Sequence, residues 1–234
     1  MKSKRLALTV LTSSLLAAAG FAAPAFAASG PVSVTTCGDL TGPGTYRLDA
    51  DLPTCTITLT GSNTKLLLNR HTLLGAGIDS PSAGAAGTRN LIVGPGTVTG
   101  NANAALIMGH TKNSAIAFVT ATGNRVGLAT VADGSKNLIF GNNLNHNDAG
   151  VQLLGGTAVL STNDADNNTG NGIEIFVAGN TIVDNTADEN GTWGIVVEDA
   201  AIQNCTANYF ARNSASGNGV EAQVAPDCIQ PATT

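Results

Sequence analysis

A short pattern returns along the chain at an almost constant interval: glycine followed by alternating apolar positions. It reads Gly127-Leu128-Ala129-Thr130, Gly150-Val151-Gln152-Leu153, Gly172-Ile173-Glu174-Ile175, Gly194-Ile195-Val196-Val197 and Gly219-Val220-Glu221-Ala222. The spacing stays within the range of a structural repeat, roughly 22–25 residues from one glycine to the next. A weaker copy, Ala105-Leu106-Ile107-Met108, stands one further interval before Gly127. Between these lies a second phased run: Leu138-Ile139-Phe140, Ala158-Val159-Leu160, Thr181-Ile182-Val183 and Ala201-Ile202-Gln203. A third element centres on Ala121, Leu144, Ala165, Ala187 and Ala207. Each unit therefore holds three short apolar runs with Gly, Asn and Asp at the corners. Period-two alternation over runs this short, rich in Ile and Val, specifies strands rather than helices.

A unit of three short strands buries its inner face only by stacking on the next unit. Stacking sets equivalent strands parallel and about 4.8 Å apart. The expected fold is all-β: a right-handed parallel β-helix solenoid of about nine coils, ~22 residues each, with three short strands per coil. The composition agrees, with 28 glycines, 12% charged and 43% hydrophobic residues. That balance excludes a disordered chain, and the scarcity of Lys, Glu and Arg excludes a helical bundle. Asn at one coil position can stack into a ladder of side-chain amides. Asn142 or Asn143, Asn163, Asn185 and Asn204 are the expected ladder.

These Gly-Val/Ile-x-Val/Ile strands and Asn corners resemble the right-handed parallel β-helix repeat proteins of the pectate-lyase-like superfamily, over about residues 57–225. The opening also resembles the start of exported β-helix repeat proteins: Cys37-Gly38, Tyr46-Arg47-Leu48, Asp51-Leu52, Cys55, Thr64-Lys65-Leu66-Leu67-Leu68 and His71-Thr72-Leu73-Leu74-Gly75. The resemblance implies a fold. It implies no single activity, because the superfamily hosts lyases, hydrolases, esterases, epimerases and proteins without known catalysis.

Residues 1–27 read as a secretory signal peptide. Lys2, Lys4 and Arg5 precede an apolar stretch from Leu6 to Ala23, and Ala25-Phe26-Ala27 is an A-x-A cleavage site. Removing three cations leaves eight Lys+Arg against 16 Asp+Glu, a net charge of −8. No later apolar stretch is long enough to span a bilayer. An acidic chain has no cationic surplus for phosphates, so nucleic acid is not an expected partner. The expectation is a secreted, extracellular monomer. Residues 28–234 would be a single β-helix domain, with an N-terminal cap and first coils over 37–75 and a C-terminal cap over 205–234.

Four cysteines in an exported chain suggest two disulfides. Cys55 and Cys205 are separated by about seven coils, or roughly 33 Å along the axis, beyond the ~7 Å reach of a disulfide. Cys37 and Cys55 are separated by close to one coil, as are Cys205 and Cys228, so each pair fits neighbouring coils. The expected pairs are Cys37–Cys55 and Cys205–Cys228, one at each end.

Alternation points the second and fourth positions after each glycine outward. The second column runs Ile107, Ala129, Gln152, Glu174, Val196; the fourth holds Leu154, Phe176 and Glu198. Trp193, the sole tryptophan, precedes Gly194 at the entrance to this face. Gln152, Phe176 and Trp193 are candidate ligand-binding residues, since an exposed Trp makes a stacking platform for a sugar. Glu174 and Glu198 sit on adjacent coils, offset along the strand, roughly 8 Å apart. That is the carboxylate separation of an inverting glycoside hydrolase, which makes them the catalytic candidates. Asp164-Ala165-Asp166-Asn167-Asn168 resembles a D-x-D-x-N calcium loop, though the twelfth position is Ile175. Calcium at Asp164 and Asp166 is the one cofactor to consider. A lyase would need a cationic base, and none of the cations falls in the outward columns. Residues 75–88, rich in Gly, Ala and Ser, form the only insertion long enough to fold over a face. The sequence favours a non-catalytic structural or surface-interaction solenoid. The alternative is a polysaccharide-binding or glycan-processing protein, hydrolase- or lyase-like, acting at the Gly-led strand face on polysaccharide or cell-surface glycan.

Overall fold

The computed structural model describes residues 30–54, 56–75, 77–80, 89–131, 134–198 and 207–220. Every regular element among them is a short strand, and every strand pair is parallel. The strands form three sheets that run along a solenoid axis. The first sheet has nine strands, from Val32–Val34 to Tyr209–Ala211. The second has eight, from Gly38–Leu40 to Ile195–Val197, and contains the Gly-led strands. The third has four, from Leu52–Pro53 to Thr120–Thr122. It continues as single bridges, Thr120↔Asn143, Asn143↔Asp164, Asp164↔Thr186 and Thr186↔Ser214. The parallel β-helix with three strand positions per coil is therefore present. The eight strands of the second sheet mark about seven full turns rather than nine.

Coil length is not uniform, and coils lengthen at two places. The Thr64 N–H meets Asn90 Oδ1 one coil up, a step of 26 residues, and the Asn185 N–H meets Asn213 Oδ1 after 28 residues. The regular steps from Asn142 to Asn163 and from Asn163 to Asn185 take 21 and 22 residues.

The alternation places one apolar side chain from each sheet into the bore at every level. The second sheet contributes Ile57, Ile78, Leu106, Leu128, Val151, Ile173 and Ile195, all fully buried and in register. The first contributes Leu66, Ile92, Ile116, Ile139, Leu160, Ile182 and Phe210. The third begins with Leu52, Leu73 and Val98 and continues with Ala121, Leu144, Ala165 and Ala187. Each large aliphatic side chain so buried contributes about 1.5–3 kcal/mol. The leading glycines are required by the stacking itself. A Cβ on Gly150 would lie 2.5 Å from the Gly172 carbonyl oxygen, and one on Gly172 would lie 2.6 Å from that of Gly194.

Asparagines line the corners in ladders. In the expected one, Asn142 Nδ2 donates to Asn163 Oδ1 (2.9 Å), Asn163 Nδ2 to Asn185 Oδ1 (3.0 Å) and Asn185 Nδ2 to Asn213 Oδ1 (3.0 Å). Each Oδ1 also accepts the backbone N–H of the preceding ladder residue. The last member is Asn213, not Asn204, which lies outside the described residues. Two further ladders follow the same rule. Asn124 donates to Asn147, Asn168 to Asn190 and Asn190 to Asn218 along one corner. Asn180 donates to Asn208 along the other.

The lengthened coil before Asn213 displaces other expected positions as well. The first-sheet strand paired with Thr181–Val183 is Tyr209–Ala211, Ala201–Gln203 lies outside the described residues, and Ala215 rather than Ala207 packs against the core. Gly219 does not continue the Gly-led column either. Its N–H donates to Asn190 O (2.9 Å) and that of Val220 to Thr192 O (3.2 Å), so it stacks over Gly191 and out of the register expected from Gly194.

The signal segment 1–27, Cys55, Cys205 and Cys228 lie outside the described residues. Cys37 is disulfide-bonded and packs against the core. No helix among the described residues is long and apolar enough to cross a membrane.

Candidate functional site

The second sheet carries the candidate residues on its outer face. Its register sets Gln152 beside Glu174 and Glu174 beside Val196, with Ala129 and Ile107 below in the same column. Glu174 is therefore held by its neighbours: Gln152 Nε2 donates to its Oε2 (2.7 Å) and Asn171 Nδ2 to its Oε1 (2.7 Å). Both carboxylate oxygens accept an amide hydrogen in bonds strengthened by the negative charge.

Asn171 connects this carboxylate to the tryptophan. Its Oδ1 accepts the Trp193 backbone N–H (2.9 Å) and the Thr192 hydroxyl. The Trp193 carbonyl in turn accepts the Gly172 N–H (2.9 Å). Trp193 is half-buried, as are Phe176 and Gln152, while Leu154 is 41% exposed. The result is a continuous polar chain, Gln152–Glu174–Asn171–Trp193, on one exposed sheet face with apolar patches beside it. Glu198 is exposed just beyond Val197, and its backbone N–H donates to Ile175 O (2.9 Å). The structure thus brings Gln152, Glu174 and Trp193 into one network and leaves Glu198 in solvent.

Sequence reasoning missed Asn171. Its signal was its position immediately before Gly172, where Val126, Ala149 and Trp193 stand before Gly127, Gly150 and Gly194.

The acidic corner is organised differently. Asp164 and Asp166 lie on one coil and Asp188 on the next. The Thr186 hydroxyl donates to Asp164 Oδ1 (3.1 Å) and Asp166 Oδ2 (3.3 Å), and the Asp188 N–H donates to Asp166 Oδ1 (2.8 Å). The Ser214 hydroxyl and Ser216 N–H occupy Asp188 in the same way. Burial pushes the Asp166 carboxyl above its ordinary range, with Asp164 and Asp188 adding to the rise. Among the described residues, no three His, Cys, Asp or Glu side chains group to hold a metal ion.

The three histidines stand at different places. His71 precedes a strand of the third sheet, with Nδ1 3.1 Å from Asp51 Oδ1. His110 follows the second-sheet strand Ala104–Gly109, and His146 sits at a corner where its carbonyl accepts the Gly123 N–H.

No curated protein and no solved structure matches the chain. One family model does, over residues 56–225, and it is described as periplasmic copper-binding protein (NosD). Those residues run from the strand Ile57–Leu59 through all but the first coils of the solenoid, so the matched repeat is the repeat seen in the structure. By that match over most of its length, the chain belongs to the NosD family of periplasmic β-helix proteins.

Proposed function

We propose that this chain is a non-catalytic periplasmic solenoid that works as an interaction surface, binding polysaccharide on the outer face of its Gly-led strands. The observation that carries the reading is the state of Glu174. Both of its oxygens accept amide hydrogens, from Gln152 and Asn171, and the whole network is fixed to the Trp193 backbone. A general acid must carry a proton on one oxygen and hand it to the leaving group. A carboxylate held at both oxygens acts instead as a rigid acceptor for hydroxyl donors. Trp193 and Phe176 beside it offer apolar surface against which a sugar ring can lie. The tight coil-to-coil spacing here, 22 residues from Gln152 to Glu174, leaves no room for loops that would wall a cleft around the face.

The family description names copper. Copper sites are built from imidazole, thiolate and thioether ligands. Here Met108 is buried in the core, Cys37 is disulfide-bonded and the histidines are dispersed. The described residues do not fit a copper site, and no step of the proposal runs through a metal.

The test is equilibrium binding to an array of neutral and acidic polysaccharides. The wild type is expected to bind, and Trp193→Ala and Gln152→Ala are expected to weaken binding about tenfold each while melting within a few degrees of the wild type. Unchanged binding in both variants, or no binding to any polysaccharide, would refute the assignment of this face.

A further inference from the structure

A second feature of the same sheet face lies toward the N-terminal end. A cavity of about 470 Å³ opens where three coils meet, bounded by Asp79, Thr56, Asn103 and Ile107. Its size falls within the range of small-molecule sites, roughly 300–1,000 Å³. The room comes from the corners. Gly75 and Gly100 stack there in left-handed conformations with φ of +72° and +74°, and contribute backbone but no side chain to the wall.

Asp79 occupies the outward column that contains Gln152 and Glu174, three strand spacings or ~14 Å from Gln152. Its neighbours in that column are Thr58 and Ile107, neither of which bears a charge. Asp79 Oδ1 is sealed from solvent and has no hydrogen-bond donor. Burial raises the carboxyl above its ordinary range, opposed only by the Ser80 backbone N–H. Among the described residues, none lining the cavity is cationic. A desolvated carboxylate is ordinarily paired with a cation or coordinated. Contrast Glu174, whose two oxygens are both satisfied from within the chain. Asp79 as a whole is half-buried, and it lines a space large enough for a ligand.

We propose that this cavity binds a primary ammonium carried on a hydroxylated ligand of amino-sugar size. The ammonium supplies the positive charge that no described residue lining the cavity provides to the half-buried Asp79 carboxylate, and the Thr56 hydroxyl and Asn103 amide meet the ligand's hydroxyls. Anionic ligands are excluded, because the only charge among the described residues lining the cavity is negative. The site is distinct from the Gln152–Glu174–Trp193 network, and its occupancy does not depend on that network.

Calorimetric titration near neutral pH with glucosamine, glucose and ethylammonium tests this. Glucosamine is expected to bind about tenfold or more tightly than either of the others, the effect of one charge-assisted hydrogen bond. Glucose has the hydroxyls without the charge, and ethylammonium has the charge without the hydroxyls. Asp79→Asn should remove the preference for glucosamine over glucose and melt no lower than the wild type, because it deletes an unpaired carboxylate. Ala102→Trp, which fills the cavity from its exposed rim, should abolish binding with Asp79 intact. Trp193→Ala and Glu174→Gln should leave glucosamine binding unchanged, which separates failure here from failure of the polysaccharide face. Equal affinity for glucosamine and glucose, no binding of any of the three at millimolar concentrations, wild-type binding by Asp79→Asn, or a large fall in its melting temperature would each overturn the proposal.

Discussion

Asn163→Ala is the substitution that most sharply tests how the coils are held together. Asn163 is fully buried. Its Oδ1 accepts two hydrogens, from the Asn142 backbone N–H (3.0 Å) and Asn142 Nδ2 (2.9 Å). Its Nδ2 donates to Ile139 O (3.0 Å), Ser161 O (3.1 Å) and Asn185 Oδ1 (3.0 Å), three acceptors shared by two hydrogens. Alanine removes all of these and leaves the partners without a replacement in a site closed to water. Four hydrogens at a net worth of ~1 kcal/mol each set a loss of about 4 kcal/mol, and the desolvation penalty of any orphaned group adds to it. Total stabilities of ~5–15 kcal/mol make that a large fraction of the fold. Asn143→Ala, one position along, is the control. Asn143 is exposed, and its side chain accepts one local hydrogen bond, from the Asn145 N–H (3.3 Å), so a cost of about 0.5 kcal/mol or less is expected. The assay is urea denaturation of both variants followed by circular dichroism, with Trp193 fluorescence as a second probe. Because a solenoid coil contacts only its neighbours, loss at Asn163 is also expected to separate the two transitions. A cost below about 1 kcal/mol for Asn163→Ala, or equal costs for the two variants, would refute the ladder as the adhesive between coils.

Three further outcomes follow from the same structure. Gly172→Ala places a Cβ 2.6 Å from the Gly194 carbonyl oxygen and should destabilise by ~1–3 kcal/mol in thermal or chemical melts, where a neutral result would mean that the coils can part without cost. Asp166→Asn is expected to raise the melting temperature near pH 7 and to lose that advantage on acidification. Burial raises the folded-state carboxyl of Asp166, so the native protein takes up its proton first and gains stability as pH falls through that raised value, and a melting profile with no pH dependence of the difference would contradict this. Cys37→Ser should cost ~2–4 kcal/mol, and a non-reducing peptide map should link Cys37 to Cys55.

The solenoid was legible because stacking forces each coil to repeat the demands of the one below. The glycines Gly150, Gly172 and Gly194 and the buried Val151, Ile173 and Ile195 that follow them recur once per coil. The Asn142–Asn163–Asn185 ladder keeps the same beat, in steps of 21 and 22 residues. The pattern failed where the coil length changed. The step from Asn185 to Asn213 is 28 residues, so a fixed period misses Asn213 as the next ladder member and puts Gly219 in the wrong register. Periodicity has no means of announcing an insertion, whereas the hydrogen bonds of the ladder do. The network at Glu174 was only partly legible. Alternation placed Gln152 and Glu174 side by side, but the contribution of Asn171 depends on a side chain that reaches Glu174 within its own coil and Trp193 on the next, which no strand pattern encodes. The cavity at Asp79 was not legible, because it arises from the stacking of the Gly75 and Gly100 corners around a carboxylate two strands away from the readable repeat.

The central functional claim is that the Gly-led face binds polysaccharide without cleaving it. The most direct measurement is product release: reducing ends and unsaturated uronates assayed over long incubations with any polysaccharide the wild type binds, alongside Glu174→Gln. Retention of the polymer with no product from either protein, and weakened retention in the variant, is the expected result. Steady product release by the wild type that disappears in Glu174→Gln would contradict it and make Glu174 a catalytic residue.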